Sequence, residues 1–116
     1  MLNHVDIMGR MTRDPELKTT GNGVSVANFT IAVDRDFLEN GERKADFLDC
    51  VAWRQTADFA AKHFHKGSMV VVSGSLRSRE WTDRDGNKRR GTEIEASNLY
   101  FGDHTPAASR EKSAEE

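Results

Sequence analysis

Cysteine occurs once in the 116 residues, at Cys50, so the chain has no second thiol for an intramolecular disulfide or for a cysteine-based metal site. Within an alternating pattern it reads as a small buried side chain, not a nucleophile. No apolar run approaches membrane-spanning length, and Met1-Leu2-Asn3-His4 is not a basic segment leading into an apolar one. A soluble, cytoplasmic chain is therefore expected, with no membrane contact. The groupings that catalysis needs are also missing. No nucleophile stands beside a histidine, and no cluster of acids is able to hold Mg²⁺. Gly21-Asn22-Gly23 has no helix after it to complete a phosphate cradle, so it reads as a tight turn. His63 and His65 lie two apart on a helix and point away from each other. Asp83-Arg84-Asp85-Gly86-Asn87 has its glycine two positions early for a calcium loop and lacks the closing Glu. No enzyme, metal or cofactor is expected.

Charge of one sign is not in excess either. The formal net charge is −2, and all of it comes from the end of the chain. Residues 1–101 hold 15 basic and 15 acidic residues, whereas residues 102–116 hold 2 and 4. A neutral body still carries a basic face if its acids lie elsewhere. Such a face is suggested by Leu76 to Ile94. Asp85-Gly86 is a hairpin signal, and Arg77, Arg79 and Trp81 share a parity on the first arm. Lys88, Arg89 and Arg90 crowd the second arm beside Arg84 at the tip. Cations for phosphates and a flat exposed ring for bases are what single-stranded nucleic acid requires. The plain alternatives are a solvated hairpin and a Trp used in packing.

Val5, Ile7, Gly9 and Met11 alternate with polar residues and predict a first strand, with Gly9 at a bend or bulge. Asp14-Pro15 breaks it, and Glu16 to Thr19 predicts a short edge segment. Val24 to Phe37 predicts a second strand with Ala27, Phe29, Ile31 and Val33 inward. Val24 and Val26 fall on the other parity, which calls for either a bulge or cover on both faces. Asn40-Gly41 turns the chain. Lys44 to Trp53 then puts Leu48, Cys50 and Ala52 on one face and Phe47, Asp49, Val51 and Trp53 on the other. Two rings and a charge on one face are unusual for core.

A helix is predicted over Ala57 to Lys66, capped by Thr56, with Asp58 in its first turn and Ala57, Ala60, Ala61 and Phe64 as its apolar stripe. Lys62, His63, His65 and Lys66 load its carboxyl end, with Gly67 as the stop. Ser68 to Thr82 and Lys88 to Phe101 complete the strands, with Gly74 at a bend and Ile94 and Ala96 buried. Phe29 and Phe64 are assigned to the core. Residues 102–116 have no apolar period and are expected to be a disordered tail following a single domain over 1–101. Three strands, one helix and two strands match a five-stranded antiparallel OB-fold barrel with its helix between strands three and four. Another small mixed barrel is the alternative.

Several stretches, taken in order, resemble the bacterial single-stranded DNA-binding proteins with one barrel per chain. They are Asn3-His4-Val5-Asp6-Ile7-Met8-Gly9-Arg10 with Asp14-Pro15-Glu16, Gly23-Val24, and Ala27-Asn28-Phe29-Thr30-Ile31-Ala32-Val33. Asp46 to Trp53, Lys66-Gly67-Ser68 and Gly74 to Trp81 follow. The resemblance covers Asn3 to about Phe101 and implies sequence-independent binding of single strands in replication, recombination and repair. It implies base stacking on Phe37, Phe47, Trp53 and Trp81, of which Phe37 comes from the resemblance alone. Arg77, Arg79, Arg84, Lys88, Arg89 and Arg90 would follow the backbone, with Arg35, Arg54, Lys62 and Lys66 as weaker candidates. Arg90 stands where relatives often carry an aromatic, and a guanidinium stacks on bases as well. The resemblance also implies a homotetramer, a nucleoid-associated location, and replication and repair proteins as partners. The family's acidic tail with an apolar-Pro-Phe tip is not found at Ser113-Ala114-Glu115-Glu116. A shortened chain and a member that recruits differently, such as a phage or mobile-element copy, both stay open. Two other functions are a primosome-type dimeric OB protein and an OB domain that contacts protein only.

Overall fold

The computed structural model describes residues 1–102. The alternating segments form β1 (Val5–Met11), β2 (Glu16–Thr19), β3 (Ser25–Glu39), β4 (Glu42–Trp53), β5 (Met69–Thr82) and β6 (Lys88–Phe101), with helix α1 (Arg54–His63) between β4 and β5. The expected tail, apart from Gly102, lies outside the described residues. β2 is an exposed edge strand on β3. The other five strands close a ring in the order β1-β5-β6-β4-β3, sealed by Arg10↔Ala32 and Met11↔Ile31 between β1 and β3. This is the OB-fold plan, with the helix between the third and fourth barrel strands as expected. One seam differs from the rest: β4 and β6 run parallel, with Cys50–Ala52 beside Ile94–Ala96. Residue parity says which face a side chain takes but not which way its neighbouring strand runs.

The inward set fills the barrel. Met11, Ala27, Phe29, Ile31, Cys50, Ala52, Val70, Val72, Ile94, Ala96 and Leu99 are buried, and Ala57, Ala60 and Phe64 join them from the helix and the residue after it. Phe29, at 1% exposed, contributes on the order of 2–3 kcal/mol by leaving water. The Cys50 thiol is buried, donates toward the Leu48 carbonyl, and is pushed up to about 12 by burial, with Asp49 and Glu93 adding to the shift.

Two local expectations need correction, for the helix and for Gly9, and at Val24 and Val26 the second of the two alternatives holds. The helix starts at Arg54 and ends at His63, three residues early at each end. Thr56 lies inside it and donates its hydroxyl to the Ser97 carbonyl, so it is not the cap, and Asp58 is not in the first turn. Pairing runs unbroken from Val26↔Trp53 to Asp34↔Ala45, so no bulge separates Val26 from Ala27 and the β3 bulge lies between Asp34 and Leu38. Val24 and Val26 are half-buried on the second face. Gly9 is also not a bulge, because β1 holds continuous register with β5 through it. A Cβ there would stand 2.9 Å from the Ala32 carbonyl oxygen, so glycine lets β1 cross close to β3. Gly74 coincides with the expected bend, at a register shift between Ser73 and Gly74.

Candidate nucleic-acid interface

Period-2 alternation on β3, β4, β6 and β5 sends one set of side chains into the barrel and the other onto an outer sheet face. The registers Thr30↔Asp49, Val51↔Glu95, Arg77↔Glu93, Arg79↔Gly91 and Trp81↔Arg89 place these residues on that one face. Phe47, Trp53 and Trp81 therefore share it, at 68%, 42% and 41% exposed. Phe37 is exposed as well, but it sits in the bulged stretch of the β3–β4 hairpin, away from the continuous register.

Trp81 is positioned by its neighbours. A Cβ on Gly91 would stand 3.3 Å from Cζ3 and 3.4 Å from Cη2 of the indole, so the ring lies over a residue with no side chain. The Arg79 guanidinium carbon is 4.8 Å from the ring centroid, a cation–π contact. Trp53 and Arg54 border a shallow groove of about 600 Å³ together with Gly23, Val24, Ser25 and Gln55. Arg54 enters the helix at φ 57, a left-handed conformation that turns the chain sharply off β4.

Most of the expected cations have acidic partners. Arg77 Nη2 lies 2.7 Å from Glu95 Oε1, and Arg79 Nε lies 3.9 Å from Glu93 Oε1. Arg89, on the same face, bonds Asp83 at 2.8 Å, while on the other face of the hairpin Arg90 pairs with Glu80 at 3.3 Å. Arg35 bonds Asp46 at 2.9 Å and approaches Glu39 at 3.9 Å. Its hydrogen bond holds the Asp46 carboxyl below the ordinary carboxylate range, and Asp46 in turn raises the Arg35 guanidinium. Asp83 is lowered chiefly by Arg89, then by the backbone N–H of Asn87. Arg54, Arg84 and Lys88 have no acidic partner among the described residues.

The structure thus brings Phe47, Trp53, Trp81, Arg77, Arg79 and Arg89 onto one face, with Arg54 at its edge. Arg90 and Lys88 fall on the opposite side of the hairpin, Arg84 in its turn, and Phe37 with Arg35 in the second hairpin. Sequence reasoning placed Asp49 on the face of Phe47 and Trp53 but missed Glu93 and Glu95. Asp49 is tied down by the Thr30 hydroxyl at 3.0 Å, and Glu93 and Glu95 bind arginines. It also missed Gly91 as the seat of Trp81. The register that joins β6 to β5 would have exposed both. Among the described residues no group of three acids, histidines or cysteines is placed to hold a metal, and no helix is long and apolar enough to cross a membrane.

Comparison with known proteins agrees with this architecture. A Single-stranded DNA-binding protein of Halalkalibacterium halodurans is 47% identical over 102 residues, covering 87% of this chain and 61% of that protein. One from Oceanobacillus iheyensis is 48% identical, covering 87% of this chain and 63% of its own length. Single-stranded DNA-binding protein A of Bacillus subtilis is 45% identical, covering 87% and 59%. The chain spans about three fifths of the length of these relatives. Residues 2–102 match the family model described as Single-strand binding protein family. On that match, spanning nearly all of the described barrel, the chain belongs to the Single-strand binding protein family.

Proposed function

We propose that this chain is a non-enzymatic protein that binds single-stranded DNA without sequence preference and protects it during replication, recombination and repair. The observation that carries the reading is the outer face on which Phe47, Trp53 and Trp81 stay exposed while Arg77, Arg79 and Arg89 stand among them. Rings on an outer face cost burial, and unstacked bases are the partners that recover it. Bases stack on Trp53, Trp81 and Phe47, with Phe37 serving the strand as it runs on past the second hairpin. Each stacked base is worth about 1–3 kcal/mol. Arg54, Arg77, Arg79 and Arg89 take phosphates on this face. Arg35, Arg84, Lys88 and Arg90 take them where the strand wraps the hairpins, with Arg90 also able to stack.

Family membership and the similarity to proteins named as single-stranded DNA-binding support this reading. It extends to a cytoplasmic, nucleoid-associated homotetramer, in which several short barrel faces form one long path. Light scattering checks the subunit count, and a dimer would favour the primosome-type alternative.

The deciding test is tryptophan fluorescence during titration with oligo-dT at low and high salt, with duplex DNA as control. Strong quenching by the single strand, weaker at high salt, is expected. Absence of quenching at micromolar protein overturns stacking and favours a domain that contacts protein only.

A further inference from the structure

We infer that Glu93 and Glu95 are built-in competitors of the phosphate backbone, holding Arg79 and Arg77 until a bound strand displaces them; this rests on the single-strand reading above. Arg77 faces Glu93 in the strand register yet bonds Glu95, one step along, at 2.7 Å. Arg79 faces Gly91 and reaches by the same step toward Glu93 at 3.9 Å. The two diagonals repeat along the hairpin, so the pairing follows from register and not from a chance surface contact. The partners differ in cover. The glutamate side chains are 30% and 24% exposed, while the arginines are 63% and 50% exposed. The guanidinium groups therefore lie outermost, where a phosphate meets them first, and the carboxylates lie beneath. Asp49, beside the rings on this face, accepts from the Thr30 hydroxyl and has no cation partner among the described residues.

A phosphate that takes Arg77 or Arg79 frees a counterion from the nucleic acid. The carboxylate left behind draws a cation back from solution. Net counterion release falls, so binding at low salt is weaker and the salt slope flatter than the number of arginines alone would give. The acids thereby keep the face from acting as a general polyanion trap and leave selection to the rings.

The test uses the full chain and a fluorescently labelled oligo-dT, followed by anisotropy over a range of salt. Glu95→Gln and Glu93→Gln are each expected to tighten binding at low salt by up to about fivefold, the worth of an exposed ion pair. Each should steepen the slope of log affinity against log salt by about 0.7. Glu95→Asp, too short to keep the bond to Arg77, should shift both in the same direction. Asp6→Asn changes net charge equally at a pair with His4 on β1, outside the four strands that form this face, and it should leave affinity and slope unchanged. Within an Arg77→Gln background, Glu95→Gln should add nothing. Wild-type binding with unchanged or weakened binding by both glutamine variants overturns this inference alone. No binding by the wild type overturns it together with the reading on which it rests.

Discussion

Trp81 and Trp53 differ in how they are held, and that difference has a measurable consequence. Trp81 rests over Gly91 beneath the Arg79 guanidinium, whereas Trp53 borders a groove at the start of the helix. Both rings are about two-fifths exposed, so removing either leaves the core intact. Trp81→Ala should weaken oligo-dT binding by about 5- to 150-fold, the equivalent of one stacked base at about 1–3 kcal/mol. Its urea midpoint should stay within experimental error of wild type. A Trp81→Ala variant that binds as tightly as wild type would mean the ring serves only the hairpin. Cys50 is the opposite case, a residue that acts through burial alone. Its thiol is raised to about 12 when folded, from an ordinary value of 9. Between those values the unfolded chain loses the proton and the folded chain keeps it, so stability falls as pH rises through that window. Urea melts at pH 8 and pH 10.5 should show wild type losing more stability over that interval than Cys50→Ala, which lacks the titrating group.

At the scale of elements, the β5–β6 hairpin depends on its two ends. At the barrel end a Cβ on Gly74 would collide with the Glu95 carbonyl oxygen, so the clash falls on backbone. Gly74→Ala should therefore cost about 3 kcal/mol or more, as overpacking does when nothing flexible can yield. Gly21→Ala, where nothing lies within 4 Å, should be close to neutral in the same urea melts. At the tip, Asp83 accepts from the backbone N–H groups of Asp85 and Asn87 and from Arg89 Nε. Its carboxyl is held below the ordinary range, so the support it gives is present above the unfolded pKa of about 3.9 and is lost as pH falls through the folded value. Protection factors of the Asp85 and Asn87 amides, taken against the intrinsic rate at each pH, should fall in Asp83→Ala at neutral pH, and in wild type on acidification. The strands themselves were legible because apolar alternation reports a buried face directly. Helix α1 was misplaced because the usual start signal, Thr56, spends its hydroxyl on Ser97, while the chain enters the helix through Arg54 at φ 57. A left-handed arginine leaves no mark in composition or spacing.

Across the whole molecule, the candidate site was legible as residue types but not as a charge balance. Parity alone put Phe47 with Trp53, and Arg77 and Arg79 with Trp81, and the registers place both groups on one face. The pairing of Arg77, Arg79, Arg89, Arg90 and Arg35 with acids was not legible, because those partners come from other strands or from across a turn. With residues 1–101 balanced at 15 basic and 15 acidic residues, no strong net field draws a polyanion to this barrel. Affinity must then come from ring faces more than from charge. A duplex presents phosphates as densely as a single strand but keeps its bases stacked inside. It should bind at least about 30-fold more weakly than oligo-dT of equal length, the loss of two or more stacking contacts at about 1–3 kcal/mol each. Heparin, which carries charge and no bases, should compete as poorly as duplex. Competition against labelled oligo-dT measures both. Displacement by heparin at matched charge concentration would show the arginines, not the rings, to be the seat of binding.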